Sequence, residues 1–245
     1  MDIYKLISLL ICILCLSTPA QAIQISSLAE IANEQGEAVF TVKNTELDRV
    51  FLNVVMYKLS VKNGKIEKTE YTRENLQQWK INVYPARTII EPGFEKDFRV
   101  TLVAQPNQQR KEDELYQLAF IPTPYFKDGD DHANHAVQMA VGFASLFIVP
   151  GQDIQPKIKA DYDGKSVQLI NIGPNAARAE INFCTDRMPS TNRRDCRRNV
   201  YILSGRELTI PKPDSVPSDS HRAKVEVKSL RGSHSQILHL ETKPT

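Results

Sequence analysis

Beyond its first 22 residues the chain has no apolar run long enough to cross a bilayer as a helix, which excludes a later transmembrane span. Cysteine is scarce: four in all, with Cys12 and Cys15 inside that leading segment, so only Cys184 and Cys196 remain. A zinc site needs more ligands than that pair, and none stands nearby. There is no Gly-x-Ser-x-Gly turn to carry a hydrolase nucleophile and no glycine-rich loop to cradle a phosphate. No internal repeat is present. The formal net charge is only +2, too small to point to nucleic acid.

The leading segment carries its own signal. Lys5 supplies a positive start, Leu6 to Leu16 is apolar but short, and Ala20-Gln21-Ala22 is a small-x-small cleavage site. Residues 1–22 therefore read as a secretory signal peptide, with the mature chain starting at Ile23. Neither leader cysteine follows the small residues of a lipoprotein signal, so no lipid anchor is expected. Export places Cys184 and Cys196 in an oxidising compartment, where an even count favours a disulfide between them. Export also removes the chain from most nucleic acid.

The mature chain is long enough for two small domains. Charge divides it: residues 23–154 hold 14 basic and 18 acidic side chains, and residues 155–245 hold 16 and 10. The pattern throughout is short strands with turns between them. Ala38–Val42, Val50–Val61, Phe94–Val103 and Leu115–Ile121 are strands, the last stopped by Pro122 and Pro124. Asn63-Gly64 closes a hairpin with a return near Ile66–Tyr71. Asn75–Lys80 forms a short helical turn carrying Trp79, and Glu91-Pro92-Gly93 is a turn. After a linker at 150–153 come Ile158–Tyr162, Lys165–Ile172, Ala176–Phe183, Val200–Leu203, Glu207–Ile210, Ala223–Val227 and Ile237–Leu240, with a hairpin at Asp163-Gly164. Strands at this spacing indicate an all-β chain of immunoglobulin-like sandwiches.

The stretch Val137–Pro150 is the most informative. It reads as one long strand with two characters. Val137, Met139, Val141 and Phe143 alternate with small or polar residues, so one face carries a row of large apolar side chains. Leu146 to Val149 is apolar throughout, as in a strand buried on both sides. It suits either an inner strand of a sandwich or an edge that lends its apolar row to another chain by β-augmentation. The preceding Phe126–Ala136 is polar and turn-rich and predicts a mobile loop. Its Asp128, Asp130, Asp131, His132 and His135 are residue types that bind metals, but the scattered Gly and Asn and the absence of EF-hand spacing favour the loop. The pairs Arg193-Arg194 and Arg197-Arg198 suit an acidic partner or, more simply, a solvated loop around the bridge.

Val83-Tyr84-Pro85, Ile90-Glu91-Pro92-Gly93, Phe98-Arg99-Val100, Glu112-Asp113-Glu114-Leu115-Tyr116, Ile121-Pro122 and the strand into Pro150 occur in the order and spacing of one family. The chain resembles the periplasmic pilus-assembly chaperones of the chaperone–usher pathway. Phe183-Cys184 and Cys196-Arg197-Arg198-Asn199-Val200-Tyr201-Ile202-Leu203-Ser204-Gly205 are similar to the pattern of their alpha-class, common-pilus branch. The resemblance implies two immunoglobulin-like domains, 23–151 and 152–245, in an L or boomerang arrangement. It implies a periplasmic protein without enzymatic activity or cofactor. Its partners would be pilin or fimbrial subunits, captured by donor-strand complementation, and an outer-membrane usher, with the free chaperone open to self-capping as a dimer. The donor strand would be Val137, Met139, Val141 and Phe143.

One departure stands out. The family anchors a subunit carboxylate with an Arg on the first strand and a Lys on the strand ending at Pro150. Residues 23–42 here contain neither basic residue, and the Lys position falls at Ser145. Ser145, Arg87, Lys43, Arg49 or backbone N–H groups are the substitutes on offer. The alternative class is a structural or adhesive fimbrial subunit. Such a subunit carries an N-terminal extension of alternating apolar residues, whereas Ile23–Gly36 is short and weakly patterned.

Overall fold

The computed structural model of the chain describes residues 23–103, 110–124, 141–185, 188 and 194–242. The signal-peptide segment lies outside them. Ten strands come first: β1 (Ile23–Ile25), β2 (Ala29–Ile31), β3 (Glu37–Asn44), β4 (Val50–Lys62), β5 (Lys65–Glu70), β6 (Ile81–Tyr84), β7 (Arg87–Ile90), β8 (Glu95–Leu102), β9 (Glu114–Pro124) and β10 (Phe143–Val149). They form two facing sheets. One has the order β1-β3-β8-β6, and the other β2-β10-β9-β4-β5 with β7 also on β4.

Period-two patterning explains the layers. In β3 the buried positions are Ala38, Phe40 and Val42, and in β4 they are Val50, Leu52, Val54 and Met56. These meet Phe98, Phe120 and Phe147 in one core. Phe40 and Phe98 each pack against Phe120, at ring separations of 5.7 and 5.3 Å. The β4–β5 hairpin closes where the Asn-Gly pair predicts it, with φ of 51° at Asn63 and 73° at Gly64. The helical turn is a 3-10 helix over Arg73–Gln78, a little earlier than expected, with Trp79 just after it and stacked on Tyr71.

A second sandwich follows the linker: β11 (Ile158–Tyr162), β12 (Ser166–Asn171), β13 (Ala177–Asn182), β14 (Arg197–Ile202), β15 (Glu207–Pro211), β16 (Arg222–Ser229) and β17 (Ser235–Glu241). Its sheets run β11-β12-β15 and β14-β13-β16-β17. Val167, Leu169, Ile181, Phe183 and Val225 fill its core. The Cys184–Cys196 disulfide is present and ties the end of β13 to the start of β14.

The two sandwiches meet on a third apolar cluster of Leu59, Leu115, Ile148, Ala176 and Leu203. Asp113 clasps this junction. One carboxylate oxygen accepts the N–H of Gly151 and the other the N–H of Ala176, both at 2.7 Å. Burial pushes the Asp113 carboxyl above its ordinary range, the two N–H bonds and Arg231 pull it back, and Asp153 adds to the rise. At the other end the hairpin tip rests on the second sandwich, where Arg206 donates to the Gly64 carbonyl at 2.8 Å.

Candidate functional site

The strand ending at Pro150 is β10, and it begins later than the sequence pattern predicts. Val141 and Gly142 are outside it, and the ladder to β9 starts at the pair Phe143↔Phe120. The cause lies in β9. A Cβ placed on Gly142 would come within 2.5 Å of the Phe120 carbonyl oxygen, so that carbonyl points at β10. Backbone groups two residues apart along a strand point the same way, so Pro122 faces the same side with no N–H to give. The register puts it opposite Val141, and the ladder ends. The two prolines thus do not stop β9, which runs on to Pro124 paired with β4 as far as Val50. They stop its neighbour. Among the described residues, Ile121–Pro124 has a partner strand on one side only.

The other edge of β10 is covered by β2, a strand that the sequence pattern did not announce. It lies parallel, with Leu146 opposite Ala29 and Ile148 opposite Ile31. The Leu146 N–H donates to the Leu28 carbonyl and the Ala32 N–H to the Ile148 carbonyl, each at 2.8 Å. Just before it, β1 pairs with β3 in the opposite sheet, so the first segment of the chain crosses between sheets at Ser26 and Ser27. Among the described residues β10 is therefore an inner strand over Leu146–Ile148 and has β9 alone as partner before that. The expected burial on both faces holds: Phe147 and Val149 enter the first core, and Ile148 enters the junction cluster.

The predicted donor row distributes as follows. Val137 and Met139 lie outside the described residues, as does the Asp128–His135 polar cluster. Val141 is 65% exposed just ahead of the strand. Phe143 is in the strand, half-buried and packed against the first core. Around this corner Leu28 is 62% exposed and Ile121 43% exposed, so large apolar side chains surround an unpaired strand end.

Three of the four named anchor candidates lie on separate strands, and the fourth, Arg49, stands just before β4 in an ion pair with Glu91 at 3.2 Å. Ser145 on β10 is fully buried, and its hydroxyl donates to the Ser27 carbonyl at 3.2 Å. Arg87 on β7 is exposed and donates from Nε to the Asn53 side-chain oxygen at 3.0 Å. Lys43 is exposed on β3, in the opposite sheet, across from Glu95. Beside the site, burial opposes ionisation of Glu114. The Tyr116 hydroxyl at 2.5 Å and Lys80 at 3.3 Å nevertheless hold its carboxyl below the ordinary range. Among the described residues no cluster of His, Cys, Asp or Glu is placed to hold a metal ion, and no helix is long and apolar enough to cross a membrane.

Solved structures share this arrangement. The chain is similar to a Salmonella enterica SafA pilin–SafB chaperone complex (TM-score 0.54, 10% identity, covering 92% of this chain and 98% of that one). It is similar to the periplasmic chaperone SfaE (0.53, 10%, 90% and 100%) and to the E. coli chaperone DraB (0.51, 12%, 91% and 97%). No curated protein matches by sequence. The two sandwiches, with their aromatic cores and apolar junction, make the fold that of the periplasmic pilus chaperones. By sequence the chain belongs to the CS5 fimbrial protein N-terminal domain family, whose model matches residues 25–150.

Proposed function

We propose that this protein is a periplasmic chaperone that captures pilin subunits by donor-strand complementation, keeps them from aggregating and delivers them to an outer-membrane usher. The observation that carries the reading is the open corner of the second sheet. There β9 runs on beyond the start of β10, and Leu28, Ile121 and Val141 stand exposed around the unpaired strand end. A subunit lacking a strand exposes a groove and a sheet edge. The strand of this chain that leads into β10 supplies backbone hydrogen bonds to the subunit's edge and alternate apolar side chains to its groove. Val137, Met139, Val141 and Phe143 are the proposed donors, on a capture domain 23–151 followed by a second domain 152–245. The solved neighbour that includes a pilin together with its chaperone supports the same reading. The leader sequence supports the periplasm. The chemistry needs no cofactor and no catalytic residue.

The test is Val141→Arg. The side chain is exposed and ahead of the strand, so the fold should tolerate the charge. In a subunit groove an unpaired guanidinium costs about 2–5 kcal/mol, more than one aliphatic plug contributes at about 1.5–3 kcal/mol. Co-purification of periplasmic subunit should be lost with the circular dichroism spectrum unchanged. A variant that folds and still holds its subunit would remove Val141 from the donor row.

A second reading, a structural fimbrial subunit, is favoured by the description of the family that matches residues 25–150. Cell fractionation separates the two. A chaperone stays in the periplasmic fraction, and a subunit appears in sheared surface fibres.

A further inference from the structure

The β4–β5 hairpin outruns the sheet it belongs to. The β4–β9 ladder ends at the pair Leu59↔Leu115, whereas β4 and β5 stay paired as far as Lys62↔Lys65. The turn at Asn63-Gly64 therefore stands about 15 Å beyond the last pair shared with β9. Every residue of β5 is exposed. A two-stranded arm that buries so little is marginal in water on its own, so its order depends on what its tip touches.

The tip touches the second sandwich. Arg206 donates from Nη1 to the Gly64 carbonyl at 2.8 Å. The chains approach closely around that bond: a Cβ on Gly64 would lie 3.3 Å from the Glu207 side chain, and one on Gly205 3.6 Å from Val61. Arg206 reaches across from a fixed base. Its N–H donates to the Leu203 carbonyl and its carbonyl accepts from the Asn171 N–H, each at 3.0 Å, and Gly205 makes the turn with φ of 71°. Behind the tip is an apolar cavity of about 250 Å³, lined by Ile66 of β5, Leu146 of β10 and Leu208 of β15. The gap between the sandwiches is thus bridged at the tip.

We propose that this arm is a strut that fixes the angle between the two sandwiches, with Arg206 as its positioning residue. The Asp113 clasp and the small apolar cluster hold the junction beside the linker, and so small an interface leaves domain motion as the default. A second attachment, at the end of a paired arm, removes that freedom. The arm is then held at both ends, by the sheet at Leu59 and by Arg206 at the tip. The strut stands without the capture reading given above, but its use rests on that reading: a chain whose two domains are already ordered captures a partner without ordering them first.

The test measures the angle in the free protein. The Cys184–Cys196 bridge uses both native cysteines of the mature chain, so Lys96→Cys and His239→Cys, at exposed positions of the first and second sandwich, carry spin labels. Double electron–electron resonance on the full mature protein should give one narrow distance distribution. Arg206→Ala removes a bond from a charged donor, so the population away from the parent distance should rise about tenfold or more. Val61→Ser, which loosens the same contact from the arm, should also broaden the distribution. Arg206→Lys, which keeps a charged donor on the turn, should stay narrow. Circular dichroism reports the fold of each variant. A folded Arg206→Ala or Val61→Ser as narrow as the parent would overturn the strut, and so would Arg206→Lys as broad as the alanine variant. Subunit capture is timed in parallel and should slow in Arg206→Ala. Capture at the parent rate with a broad distribution would defeat the strut's part in capture. A narrow parent that captures no subunit would defeat the capture reading and leave the strut.

Discussion

Replacing Asp113 with alanine tests whether the two sandwiches behave as one unit. The side chain satisfies two backbone donors of buried residues, the N–H of Gly151 in the linker and the N–H of Ala176 at the start of the second sandwich. Alanine leaves both without an acceptor. At about 1–3 kcal/mol for each stranded donor, less the relief of no longer burying a carboxylate, the loss should be about 2–5 kcal/mol. For a chain of this size that lowers the melting temperature by roughly 4–20 °C. Calorimetry should also show the single transition resolving into two, because the clasp reinforces the small apolar cluster at the junction. The pH dependence has a definite sign. Burial raises the Asp113 carboxyl on folding, so the folded chain holds that proton more tightly than the unfolded one. The contribution of the group is full below the unfolded value near about 3.9 and falls away as pH rises through the raised folded value. The stability gap between wild type and Asp113→Ala should therefore widen as the buffer is taken from neutral to acid. An unchanged melting temperature, or a gap that narrows in acid, would refute the clasp.

Gly142→Ala should destabilise the start of β10, since its Cβ would meet the Phe120 backbone oxygen at 2.5 Å. The expected loss is about 1–3 kcal/mol, read by denaturant midpoint, with faster hydrogen exchange at Phe143; an unaltered midpoint would show that the close approach relaxes freely. The Cys184–Cys196 bridge closes a separation of 12 residues and should contribute about 2–3 kcal/mol to the second sandwich. Reductant should lower the melting transition, and two free thiols in periplasmic material by mass spectrometry without reduction would end the expectation.

Much of the fold is written in the sequence because alternation and turn chemistry are local. The Asn63-Gly64 hairpin, the Asp163-Gly164 hairpin and the strands of both cores follow from neighbours a few residues apart. β1 and β2 escaped detection because three residues each are too few to show a period, and because β2 exists only through its pairing with a strand more than a hundred residues away. β10 starts later than the alternation predicts for a related reason. The apolar alternation of Val141 is real, but the ladder depends on a donor in the facing strand, and Pro122 has none. The apolar cavity between the sandwiches has no signature in the sequence, because its walls come from six strands and from both sandwiches.

The same proline connects fold and proposed function. A sheet edge with exposed apolar side chains is a hazard to a secreted protein, since it pairs with whatever edge it meets. In the sheet that carries β10 the edges are managed in different ways. β2 covers β10 from Leu146 onward, and the sequence of β5, Lys65–Glu70, fills the opposite edge of the sheet with charge and is exposed throughout. Ile121–Pro124 has no partner on its β10 side among the described residues, and Pro122 and Pro124 leave that side without N–H donors. An edge filled in this way resists pairing with a further strand. On the proposed reading, capture therefore rests on the strand that leads into β10, whose own backbone groups and apolar side chains enter the subunit's groove.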